Sequence, residues 1–129
     1  MRDILFRGKC IDNVEWVYGV FWPNTSLSDL TISRIIDCDG TAHKVDHSTV
    51  GQWTGLTDKN GKRIFEGDIM EFDAYGLHYK GVVSFVAGNF GVMCNRPNAS
   101  PFLDVAIKQH DAICVGNIHD NLELMEGDD

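Results

Sequence analysis

Chain reversals recur so often in the middle of this sequence that no long helix fits there. Within residues 49–70 alone, Gly51, Gly55, Asn60-Gly61 and Gly67 interrupt Trp53, Leu56, Ile64, Phe65 and Ile69. Asn and Gly accept positive φ with little penalty, so Asp58-Lys59-Asn60-Gly61-Lys62 is a strong tight-turn signal. Between the breaks the chain is β-branched and aromatic, as in the run from Trp16 to Trp22 that ends at Pro23, and such runs favour strands. The alternation predicts an edge strand over residues 2–10, turning at Asp12-Asn13 into a hairpin with residues 16–22. A second hairpin is predicted from residues 30–36 and 41–45 about Asp39-Gly40, although Ile32, Ile35 and Ile36 also satisfy a helical spacing. Beyond Gly67, residues 70–73, 79–86 and 90–94 read as hairpin-connected strands, reversing at Tyr75-Gly76 and at Gly88-Asn89. Residues 102–110 fit either an irregular strand or one or two helical turns, and residues 112–116 a closing strand. Residues 117–125 have room for a short terminal helix with Leu122 and Met125 facing inward. The predicted class is therefore all-β: one domain over residues 1–129, divided into an N-terminal β-hairpin part at 1–50 and an SH3-like barrel at 51–129.

Composition narrows the functional classes. The chain has 129 residues, 19 acidic and 11 basic, for a formal net charge of −8, and 43% hydrophobic content, which argues against disorder. No apolar run approaches membrane-spanning length. The opening Met1-Arg2-Asp3-Ile4-Leu5-Phe6-Arg7 has no apolar stretch of the signal-peptide kind, so a cytoplasmic location is expected, without a membrane partner. Cys10, Cys38, Cys94 and Cys114 form no close pair and read as buried, reduced thiols. Asp120, Glu123, Glu126, Asp128 and Asp129 make an acidic end, read as a solvated tail, and no basic stretch is longer than Lys62-Arg63. Net charge thus disfavours nucleic acid in general, which is bound through Lys and Arg.

Three stretches carry a family resemblance. Residues 49–70, with Gly51-Gln52-Trp53-Thr54-Gly55-Leu56-Thr57-Asp58 and Phe65-Glu66-Gly67-Asp68-Ile69, resemble the central signature of the YopX family of phage and prophage proteins. Residues 4–9 are similar to that family's first strand, and Val115-Gly116-Asn117-Ile118-His119-Asp120-Asn121-Leu122-Glu123-Leu124 to its C-terminal element. Gly81-Val82-Val83-Ser84-Phe85 lies between them. The resemblance implies a mostly-β fold with an SH3-like half, a phage or prophage origin within a bacterial cytoplasm, and homo-oligomerisation. It implies no catalytic residues and no cofactor.

The residues themselves complete no catalytic set. Gly55, Gly61 and Gly67 are explained by turns rather than by a phosphate cradle, since no glycine run leads into a helix. Asp58 and Asp68 sit beside turns, where carboxylates accept backbone N–H bonds. The rival reading pairs Glu66 with Asp68 for Mg²⁺ in a small metal-dependent hydrolase, but no further acids complete that site. Cys38, His43 and His47 come nearest to a metal group, yet on a strand the two histidines stand about 13 Å apart, too far to chelate one ion. A Ser or Cys nucleophile with His47 and Asp46 lacks a nucleophile elbow.

The aromatics point to binding instead. Trp16, Tyr18, Phe21, Trp22, Trp53, Phe65 and Tyr75 exceed what a small barrel encloses, and any exposed patch of them is a contact candidate. The candidate interaction surface comprises Arg7, Trp53, Asp58, Lys59, Lys62 and Arg63. The expected function is a non-enzymatic module binding a phage or host protein or a second copy of itself. The alternative is a nucleic-acid accessory role, with bases stacked on aromatics beside Arg7, Lys59, Lys62 and Arg63.

Overall fold

The computed structural model describes residues 4–22, 31–95 and 97–125. The chain divides into two compact units, Met1–Trp53 and Thr54–Asp129. Its described strands form antiparallel sheets in both, so the protein is all-β, with one short α-helix among the described residues.

The first unit contains β1 (Phe6–Lys9), β2 (Trp16–Trp22), β3 (Ile32–Ile36), β4 (Ala42–Asp46), a 3-10 turn at His47–Thr49, and the start of β5 (Gly51–Thr57). Their order is β4-β3-β2-β1-β5. The expected edge strand is therefore interior: Arg7 of β1 stands opposite Tyr18 of β2 on one side and Gly51 of β5 on the other. The return of the chain after the 3-10 turn brings this about. Trp53 donates its N–H to the Leu5 carbonyl, and the Thr49 hydroxyl accepts from Lys9 N–H. One side of the sheet buries Ile35 and Val45 completely, with the Phe6 and Phe21 rings 5.3 Å apart. Within this side Ser33 is buried, its hydroxyl 2.7 Å from His47 Nδ1. Of the strand predicted over 30–36, Leu30 lies outside the described residues, as do Arg2 and Asp3 of the first strand.

In the second unit β5 ends beside β6 (Arg63–Phe65). There follow β7 (Asp68–Ala74), β8 (Leu77–Val86), β9 (Asn89–Asn95), β10 (Asn98–Ala99), α1 (Leu103–His110) and β11 (Ile113–Asn117). The sheet runs β10-β9-β8-β7-β11 and is open, which corrects the expected closed SH3-like barrel. Its edges cannot meet usefully, because β10 is two residues long and β11 shifts register between Cys114 and Gly116. The helix covers the core instead: Leu103 and Ala106 are fully buried in one cluster with Met70, Val83 and Val92. This resolves the ambiguity over residues 102–110. Eight residues are too few for a helix to persist alone, so packing supplies the stability. The predicted terminal helix is a 3-10 turn, Leu122–Leu124, and Leu122 points outward at 54% exposure.

Both units use the same reversal. In Asp37-Cys38-Asp39-Gly40-Thr41 and in Asp58-Lys59-Asn60-Gly61-Lys62, the first residue's N–H bonds the last residue's carbonyl, and the glycine takes φ of 82° or 81°. This is a three-residue hairpin loop with glycine at its left-handed position. In each, one oxygen of the aspartate accepts from the N–H groups two and four residues on, at 2.9 and 3.0 Å. Two-residue reversals occur at Tyr75-Gly76 and at Ala87-Gly88, the latter one position before the predicted Gly88-Asn89.

Candidate functional site

From Val17 onward strand β2 alternates in exposure, and its two sides meet different fates. Phe21 turns toward Phe6, whereas Tyr18, Val20 and Trp22 remain 47%, 59% and 58% exposed. Successive residues on one side of a strand lie about 6.7 Å apart, so the three make a continuous apolar row. Register extends the row across neighbouring strands. Trp22 stands opposite Arg34 of β3, and Arg34 opposite Lys44 of β4. Val20 likewise faces Ile36, which faces Ala42. Arg34 and Lys44 are exposed like charges placed directly across a ladder, an arrangement that repels. At the next pair, Ile32 opposite Asp46, the surface opens into a cleft of about 540 Å³. Asp46 there turns its oxygen to the N–H and hydroxyl of Ser48.

The residues singled out from sequence are not all at the surface. Arg7 is 5% exposed, its guanidinium 4.7 Å from the centre of the Trp16 ring. Asp58 is 5% exposed and spends one oxygen on its turn and the other on the Cys114 N–H at 3.1 Å. Lys59, Lys62 and Arg63 are exposed and Trp53 is half-buried. Burial thus makes Arg7 and Asp58 internal supports rather than contact residues. Sequence reasoning missed Arg34 and Lys44, which are ten positions apart and meet only through the register that the Asp39-Gly40 reversal sets. That reversal was the signal available.

The groups best suited to chemistry are committed elsewhere. Asp68 is buried and accepts from Phe65 N–H at 2.8 Å. His43 Nε2 lies 2.8 Å from Asp37, a hydrogen bond that holds the Asp37 carboxyl below its usual range. His47 faces Ser33, which is too buried to meet a substrate. Burial pushes the Cys94 thiol up to about 11 and raises those of Cys10 and Cys114, which disfavours thiolate chemistry. Cys38, contrary to the expectation of buried thiols, is exposed in its turn. Among the described residues no three His, Cys, Asp or Glu side chains are grouped to hold a metal ion.

The second unit has an open cleft of about 440 Å³ beside β7 and β8. His78 stands there with Nδ1 2.6 Å from Asp73 and Nε2 2.6 Å from Glu71. The Asp73 bond, with that of Glu71 behind it, raises the imidazole pKa. Because both nitrogens are taken, His78 has no nitrogen left to serve as a general base. His110 stacks on Phe72 and meets Tyr75 edge-on at 5.7 Å.

The model of the YopX protein family matches residues 6–126. Among solved structures, the chain is similar to the crystal structure of protein EF1440 from Enterococcus faecalis, with 26% identity and a TM-score of 0.58. That match covers 98% of this chain and all of the other. No curated protein matches.

Proposed function

The chain belongs to the YopX protein family, and we propose that it is a non-catalytic interaction module whose first unit binds a partner on the open side of its sheet. The observation that carries this reading is the row Tyr18, Val20 and Trp22, held in register and left exposed. Large aromatic side chains in water supply contact area at small conformational cost, which is why they concentrate where partners bind. The commitment of Asp58, Asp68, His43, His47 and His78 to structural hydrogen bonds supports the absence of catalysis. A bacterial cytoplasm and a phage process belong to the same proposal, on the strength of the family resemblance.

Photocrosslinking inside cells tests the reading. A benzophenone side chain replacing Val20 should yield a discrete adduct, and one replacing the also exposed Leu77 of the second unit should not. The Val20 adduct should disappear when Trp22→Ala is added. Equal labelling at both positions, or none at either, refutes the proposal.

A further inference from the structure

We propose that the partner on this face is single-stranded nucleic acid, an inference that rests on the interaction reading above and names its ligand. The row combines two chemistries that such a strand requires. Tyr18 and Trp22 present rings to solvent, with Val20 exposed between them. Beside them Arg34 and Lys44 form a pair of cations side by side. Like charges facing each other across a ladder are relieved when an anion settles between them, and a phosphate backbone is a chain of such anions. Stacking of bases on aromatic side chains tolerates any sequence, because every base has a π-face.

The acidity of the whole chain is not spread evenly. Residues 1–53 hold five Lys and Arg against seven Asp and Glu, whereas residues 54–129 hold six against twelve. The first unit is therefore the less acidic one, and two of its five cations, Arg34 and Lys44, stand in register with the aromatic row. Asp46 lies at the end of the same side, with one oxygen engaged by Ser48. A duplex would bring phosphates but no accessible ring faces, so unpaired strands should be preferred.

The test is fluorescence anisotropy of a labelled oligothymidylate, of the same sequence in a duplex, and of a poly-glutamate peptide, titrated with full-length protein over a salt series. Binding of the single strand should weaken with salt at a log–log slope of about −1.4, the value for two phosphate contacts. Arg34→Gln with Lys44→Gln should bring the slope near zero, and Trp22→Ala should weaken binding roughly tenfold to a hundredfold at any salt. All three side chains are exposed, and circular dichroism of each variant verifies that it folds. Absence of oligonucleotide binding at low salt, or poly-glutamate binding as well as the oligonucleotide does, overturns the proposal. If the Val20 crosslink then proves to be protein rather than nuclease-sensitive, the interaction reading stands while its ligand is refuted. If there is no crosslink either, both fall.

Discussion

Asp58 joins two parts of the second unit that are far apart in sequence, and its removal tests how this fold is held. One oxygen accepts from Asn60 and Lys62 N–H at 2.9 and 3.0 Å; the other accepts from Cys114 N–H at 3.1 Å, 56 positions away. In Asp58→Ala the N–H groups of the exposed turn regain water, so their loss is modest. The Cys114 N–H belongs to a strand residue that is half-buried, and leaving it unsatisfied costs about 1–3 kcal/mol. Adding the weakened turn, the expected total is roughly 2–4 kcal/mol. Asp58→Asn is the sharper probe. It keeps the shape, but its amide presents one acceptor and one donor group where two sets of N–H donors converge. Whichever way the amide turns, one set faces an N–H instead of an oxygen, so Asn should be nearly as damaging as Ala. Urea denaturation followed by tryptophan fluorescence measures this, with the midpoint shift read at constant slope. An Asn variant within about 0.5 kcal/mol of the parent refutes the reasoning, since it would mean that shape and not acceptance holds the turn to β11.

Three further outcomes follow from the same geometry. Ala87 sits at φ 54° in a two-residue reversal, and Ala87→Asn should stabilise the protein by about 0.5–1 kcal/mol in urea, because Asn tolerates that conformation better. A Cβ on Gly81 would lie 2.7 Å from the Met93 carbonyl and the Cys94 sulfur, so Gly81→Ala should cost about 1–3 kcal/mol through overpacking, and a parent-like thermal midpoint would contradict it. His78, whose pKa is raised from 6.5 chiefly by Asp73 and then by Glu71, contributes stability that is complete below about 6.5 and fades as pH rises through the raised folded value. Its imidazole resonance should titrate above 6.5 by NMR, and Asp73→Asn should move that midpoint down; an unmoved midpoint would show that the bond is not the cause.

Much of the local structure was legible because backbone preference is written in adjacent residues. Asp39-Gly40 and Asn60-Gly61 placed their reversals where the left-handed glycines occur. The β-branched and aromatic run from Trp16 to Trp22 became β2 without change. The reversal predicted at Gly88-Asn89 moved back by one residue to Ala87-Gly88, since register with β8 pairs Asn89 with Val86. The candidate site was less legible. Arg7 and Asp58 have charged side chains that composition alone would place outside, yet stacking on Trp16 and bonding to Cys114 N–H draw them in.

Sequence by itself determined the strand-rich class, most reversal points and the extent of β2, all of which depend on neighbours within a few residues. Tertiary structure alone decided which strands would be interior, that the second sheet would stay open under α1, and which side of β2 would meet solvent. An alternating strand reads the same from either side until other strands pair with it. Burial of Phe21 with Phe6 on one side left Tyr18, Val20 and Trp22 on the other, beside cations from β3 and β4 that only long-range pairing could bring there.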